Sequence, residues 1–396
     1  MSLNRNLITS LVAAVVIVAG MIVPQVVLPR SALPEAGAAS LTARLDNAIT
    51  ARIAQMGIPG AIVSLSIPGR AEYVKGFGVA NPTVPVPLTP DFHFRTGSVT
   101  KTFTGTAILQ LAERGLVDLD APVSRYVSGV PHGDEITIDM LGRMRSGLAE
   151  FAGTEQFVTA LYAESPKGPW AFPYPPRKAL TAAFRQPMSF PPNATYQYSN
   201  TNAVLLARVV EKVSGMPFDR YLQRHILGPA GLSKTSYPAD GWLPFPFSGG
   251  TTKDDPRNPR TLDATLWNPS WSDAAGKIVS TVGDLRKWTR MLSGGALLRP
   301  STRERRVSNG TPVAPGVDYA FTIFDADGWV GHNGELPGYT TVAVHLPERN
   351  ATLVVSANSD HPQPSPAGQI AYDVTRIATP GHVYELGPQP PLRGAG

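Results

Sequence analysis

The chain has 396 residues, a formal net charge of +5 and a sequence pI near 9.4. Hydrophobic residues make up 42% and charged residues 16%, which excludes a disordered or fibrous chain and leaves a globular body long enough for two or three domains. There is no cysteine, so thiol catalysis and thiolate metal sites are excluded, and the basic residues are scattered without a dense stripe, which argues against nucleic acid as a partner.

After Arg5 and Asn6, the stretch from Leu7 to Leu28 is apolar except for Thr9, Ser10, Pro24 and Gln25. Its length lies between the ~7–15 residues of a signal-peptide core and the ~20 of a membrane span. Ala36-Gly37-Ala38 offers a small-residue cleavage site, so residues 1–38 read as either a cleaved signal peptide or an N-terminal membrane anchor. Both readings place the rest of the chain outside the cytoplasm. A disulfide-free exported chain suits a bacterial cell envelope, whether secreted or anchored, and the positive charge suits a cell-wall polymer or membrane surface.

Beyond that segment, a helix is predicted over Leu41 to Gln55, followed by strands at Ala61 to Ile67 and Tyr73 to Val79 around a Pro68-Gly69 turn. Ser98 to Arg114 reads as a helix with Phe103, Ala107, Ile108 and Leu111 on one face and Gly115 ending it. Further helices are expected at Ala203 to Ser214, Phe218 to Ile226 and Asp284 to Leu292. Tyr319 to Phe324, Trp329 to Gly331, Tyr339 to His345 and Thr352 to Ser356 read as an antiparallel meander, with a closing helix after Pro366. Two proline-rich stretches, Ser165 to Pro192 and Trp242 to Pro259, are expected to be loops. Their aromatic residues Trp170, Phe172, Tyr174, Trp242, Phe245 and Phe247 either wall a cleft or cover the helices.

This order predicts an α+β fold, with one antiparallel sheet built from both chain ends, flanked by helices, and an inserted mostly helical lobe. The expected boundaries are one domain over 41–380, with an α/β lobe at 41–105 plus 283–380, a helical lobe at 106–282, and a flexible tail at 381–396.

Three short segments carry chemistry. In Ser98-Val99-Thr100-Lys101 the serine and lysine are three apart on a helix, hence neighbours on its surface. A serine hydroxyl needs an adjacent base to attack a carbonyl carbon; Lys101 serves if burial lowers its pKa, and Tyr198 serves if a nearby cation stabilises its phenolate. In Tyr198-Ser199-Asn200 the amide of Asn200 can hold Lys101 and also hydrogen-bond a substrate carbonyl. His332-Asn333-Gly334 falls between strand-like stretches, as expected of an active-site edge strand whose glycine lets a substrate approach closely. No His-x-x-x-His, no Gly-x-Ser-x-Gly elbow and no phosphate-binding glycine loop occurs, so neither metal nor cofactor is implied.

These motifs and their surroundings resemble the serine β-lactamase and penicillin-binding-protein superfamily, nearest the class C β-lactamases, D-Ala-D-Ala carboxypeptidases and related esterases. The match includes Phe94 to Lys101, Leu111 to Asp120, Phe190 to Asn193, Gly276 to Leu285 and Gly331 to Tyr339, and runs from about residue 45 to 377. The resemblance implies a β-lactamase-like fold, an acyl intermediate on Ser98, and proton traffic shared by Lys101 and Tyr198. It favours Tyr198 as general base and acid, although that choice is disputed among relatives. It also implies an oxyanion hole from the backbone N–H groups of Ser98 and Glu335, and substrate contacts at Asn200, His332, Gly334 and Glu335. The expected partner is a small acyl or peptide substrate, with β-lactams as further ligands. D-alanyl-D-alanine carboxypeptidase-like or weak β-lactamase activity leads, ahead of a small-ester hydrolase and a non-catalytic cell-wall ligand-binding protein.

Two departures stand out. Relatives usually carry Lys-Thr-Gly where this chain has His332-Asn333-Gly334; a histidine titrating near pH ~6.5 predicts weaker or pH-dependent recognition of a carboxylate. Relatives commonly carry His-Thr-Ser-Gly-Leu where the segment Met140 to Leu148 of this chain keeps only Ser146-Gly147-Leu148, which predicts altered local packing more than altered chemistry.

Overall fold

The computed structural model describes residues 36–387 apart from 84, 254–259 and 296. The apolar stretch from Leu7 to Leu28, on which the signal or anchor reading rests, and the last nine residues, 388–396, lie outside the described residues. Among the described residues, no helix is long and apolar enough to cross a membrane.

Eight antiparallel strands form the main sheet: β1 (Gly60–Ile67), β2 (Ala71–Gly78), β3 (Thr311–Ala314), β4 (Val317–Tyr319), β5 (Phe324–Ala326), β6 (Trp329–Leu336), β7 (Tyr339–Leu346) and β8 (Ala351–Ala357). Their order is β2-β1-β8-β7-β6-β5-β4-β3, so the first and last parts of the chain meet where β1 pairs β8, with Val63 opposite Val355. Central strands β1, β7 and β8 are buried along their whole length, which is why they read as continuous runs of small and branched residues. β2 closes one edge and turns only Tyr73 and Phe77 fully inward.

Helices α1 (Ala36–Met56) and α5 (Pro366–Ala378) cover one face of the sheet. Leu41, Leu45 and Ile49 recur every four residues along α1 and meet the same core as Ile370, Ala371 and Val374 of α5. The other face packs on α4 (Val282–Gly294), and beyond it on α2 (Thr100–Glu113) and α3 (Asn200–Ser214). Trp288 of α4 stacks on Phe103 of α2 with ring centroids 3.8 Å apart, and its indole N–H donates to Thr102 at 2.8 Å. Aromatic stacking of this kind, and a hydrogen bond in a dry interior, both fix orientation. The lobe boundary drawn at residue 105 therefore falls inside α2, which is buried along nearly its whole length in the helical core.

Three other expectations are corrected. The strand expected over Tyr319 to Phe324 is split into β4 and β5, because residues 320–323 dip into the helical lobe. Phe321 packs against Gly142, and Thr322 sits with φ +58 against Gly105; a Cβ on either glycine would fall within 2.2 Å of the intruding side chain. The first proline-rich stretch contains a helix, Pro176–Phe184, whose proline occupies the first turn, where no N–H is needed. The tail expected from residue 381 instead packs down as far as 387. Tyr384 is 2% exposed, and the His382 carbonyl accepts from the Trp329 indole at 3.0 Å.

Candidate active site

Ser98 lies in a single 3-10 turn, Gly97–Val99, that runs into α2. One turn later Lys101 is completely buried, and its Nζ donates to Ser98 Oγ at 2.9 Å, to Asn200 Oδ1 at 2.6 Å and to the Ala275 carbonyl at 2.9 Å. Burial brings the Lys101 pKa down to about 7, against the raising influence of the Glu150 carboxylate. An amine near neutrality that already touches a serine hydroxyl is equipped to take its proton.

Tyr198 sits on extended chain just before α3, with the Lys101 ammonium 4.7 Å from the centre of its ring. Burial pushes its phenol well above the ordinary value, although a hydrogen bond with Ser98 works the other way. Asn200 opens α3 and faces Lys101. The turn is stitched down on both sides, since the hydroxyls of Ser199 and Thr201 both donate to the Ala149 carbonyl, at 3.3 and 2.6 Å.

His332 lies inside β6, a strand that is interior at its start and open beyond. β5 pairs only with Trp329, Val330 and Gly331, leaving residues 332–336 bonded on the β7 side alone. The edge-strand expectation therefore holds for the second half of β6. His332 itself is 1% exposed and packed among Tyr198, Tyr319 and Phe324. Burial, then the Lys101 charge, bring its pKa down to about 3, so the titration expected near neutrality is absent and its ring is a neutral backing for Tyr198. Gly334 is also reinterpreted: the group it admits is the protein's own backbone. A Cβ there would lie 2.0 Å from the Thr96 carbonyl oxygen and 2.9 Å from Ser98 N. Gly97, with φ +53, meets the same contact from the other side, its Cβ position 2.6 Å from Glu335 N. The two nitrogens named for the oxyanion hole are thus brought to one place. The Glu335 side chain turns toward Gln363, which donates to it at 2.9 Å; burial and the neighbouring Asp360 raise its carboxyl to about 7.

Two residues near the site escaped the sequence reading. Glu150, three positions beyond the Ser146-Gly147 pair, accepts the backbone N–H groups of Asn200 and Ala152. Arg306 is 1% exposed and bonds Thr106, Thr322 and the carbonyls of Thr102 and Phe321, and burial lowers it to about 9. Neither follows a pattern visible in sequence. The altered segment before Ser146 packs through Arg143, whose guanidinium reaches Asp139 and the carbonyls of Arg305, Ser308 and Asn309. Of the loop aromatics, Phe172 and Tyr174 join Phe157 in the helical core, while Trp170 and Trp242 meet edge to face at 5.8 Å on the surface.

A family model described as Beta-lactamase matches residues 45–374. Penicillin-binding protein 4* of Bacillus subtilis (strain 168) is 25% identical over 320 residues, covering 74% of this chain and 66% of that protein. The D-aminopeptidase of Gluconobacter oxydans (strain 621H) is 25% identical over 353 residues, covering 87% of this chain and 63% of that protein. The chain thus spans less than two thirds of the length of these curated relatives. Among solved structures, a D-stereospecific amidohydrolase from Streptomyces sp. superposes with a TM-score of 0.75 at 27% identity, covering 86% of this chain and 99% of that one. The D-amino acid amidase from Ochrobactrum anthropi SV3, complexed with L-phenylalanine amide, does so at 0.75 and 25%, covering 86% and 97%. With a family match over most of its length, the chain belongs to the Beta-lactamase family.

Proposed function

We propose that the protein is an exported hydrolase that forms an acyl intermediate on Ser98 from small amides and short peptides carrying a D-configured residue. The observation that carries this reading is the 2.9 Å contact between Lys101 Nζ and Ser98 Oγ, with the lysine brought to about 7 by burial. In the proposed sequence, neutral Lys101 takes the Ser98 proton as Oγ bonds to the carbonyl carbon. The charge on the carbonyl oxygen collects between the N–H groups of Ser98 and Glu335. Tyr198, kept protonated by burial, then gives its hydroxyl proton to the leaving nitrogen, and the Lys101 ammonium restores it. Water hydrolyses the acyl group by the reverse proton path. This assigns the base role to Lys101, where the family resemblance favours Tyr198.

The substrate class draws on the relatives named D-aminopeptidase, D-amino acid amidase and penicillin-binding protein. A neutral His332 offers no cation to a substrate carboxylate, so amides and esters stand ahead of carboxylate-ended D-Ala-D-Ala peptides, and β-lactams act as slow acylating agents. Intact-mass spectrometry tests this with a D-amino acid amide, a D-Ala-D-Ala peptide, a p-nitrophenyl ester and a fluorescent penicillin. An adduct mapping to Ser98, with turnover greatest for the amide, is the expected result; no adduct and no turnover with any of the four would point to a binding protein.

A further inference from the structure

Glu150 has no role in the steps above, yet its carboxylate is tied to the catalytic turn through Asn200 and to its own loop through Ala152. One oxygen accepts the Asn200 backbone N–H, the other accepts the Ala152 N–H at 2.7 Å, and the Asn200 side-chain amide also donates to it. The last contact orients that amide. With its NH2 on Glu150, its oxygen turns to Lys101, where it accepts at 2.6 Å. The start of α3, a helix of 15 residues, is itself favourable to a carboxylate.

The groups that face Lys101 can be named element by element. Ser98 lies on its own turn, Tyr198 and Asn200 precede and open α3, Ala275 presents a carbonyl, His332 faces it from β6, and Glu150 lies on the loop after Leu148. Arg306 stands behind His332. Of these, Glu150 alone is a carboxyl; burial raises its pKa, while the Asn200 and Ala152 N–H groups and the Lys101 charge oppose that rise and favour its anion. When Lys101 takes the serine proton, a cation appears in a water-poor interior, where a nearby anion matters far more than in solvent.

We propose that Glu150 is a positioning residue that holds the Asn200 amide with its oxygen toward Lys101 and supplies the counter-charge for the ammonium formed there during acylation. The inference rests on Lys101 as the base. It also implies that Asn200 is committed to this bridge, so the substrate carbonyl contact expected of its NH2 is given up in the resting enzyme.

The test is the pH dependence of Ser98 labelling by a fluorophosphonate on the full chain, across roughly pH 5 to 9. In the wild type, labelling rises with pH as Lys101 loses its proton. The Glu150 charge raises Lys101, so Glu150→Gln removes that opposition and moves the rise to lower pH by about one unit, while the plateau rate falls about tenfold. Glu150→Asp, with its carboxylate drawn back, shifts the rise in the same direction by less. If Glu150→Gln does not fold, as judged by circular dichroism, Glu150→Asp decides alone. A lower plateau with an unmoved rise would mark Glu150 as a merely structural residue and overturn the proposal. A wild type that is not labelled at all would overturn the hydrolase reading, and this inference with it.

Discussion

The helical wall and the strand wall of the site both bury a titratable side chain, Lys101 in one and His332 in the other, but they are made differently. Lys101, Asn200 and Glu150 form a run of polar groups, each bonded to the next. Across from them His332, Tyr319 and Phe324 pack ring against ring. Both Lys101 and His332 have lowered proton affinity for the same first reason, burial. The lysine falls from 10.5 to about 7 with a carboxylate opposing the shift, and the histidine falls by a similar amount, from 6.5 to about 3, with a positive neighbour adding to it. Similar burial therefore yields a working base on one wall and an inert ring on the other, because the lysine starts from 10.5 and the histidine from 6.5.

Four measurements would break or sharpen this contrast. The largest effect is expected from Ser98→Ala, which should abolish covalent labelling while leaving circular dichroism unchanged; a labelled Ser98→Ala protein would remove the helical wall from the chemistry. Next, Gly334→Ala should push β6 off the Thr96 carbonyl and cost about 10²–10³ in acylation rate, the loss typical of a missing oxyanion donor. An unchanged rate would show that strand geometry is not critical. Tyr198→Phe should slow turnover by about 10² while keeping the pH at which acylation rises, since that rise belongs to Lys101; loss of the rise would transfer the base role to the tyrosine.

The smallest effect concerns the strand wall. The His332 pKa falls on folding from 6.5 to about 3, so the unfolded chain binds the extra proton. Its contribution to stability is complete above about pH 6.5 and is lost as pH falls toward 3. Denaturant titrations should show wild type losing stability faster than His332→Asn over that window, by at most ~1.4 kcal/mol per pH unit. Parallel curves would mean that His332 is hydrated.

The parts of this arrangement that are periodic were legible in the sequence. Ser98 and Lys101 are brought together by helix geometry alone, and β1, β7 and β8 announce themselves through unbroken runs of strand-forming residues. Segments whose structure depends on a distant partner were not. Phe321 and Ile323 look like strand residues until Gly142 and Gly105 open room for residues 321 and 322 in the helical lobe. The helix at Pro176–Phe184 is hidden in sequence because proline breaks most helices, although in the first turn it is compatible with one. Glu150 gives no signal because its partners are N–H groups, one of them fifty positions away, and a lone carboxylate in a loop repeats nothing. The pKa of His332 was misjudged for a related reason, since the rings that dry it come from other strands and from the α3 turn.

The backbone contact of Gly97 with Glu335, mirrored by Gly334 with Ser98, joins segments from opposite ends of the domain. Neither half has the geometry without the other, and contacts so distant along the chain are slow to form. Acylation competence should accordingly be among the last properties to return on refolding, after helix content and burial of the tryptophans. A site of this design is its own reporter of completed assembly: a chain caught in an unfinished state would carry every reactive group and still be inert.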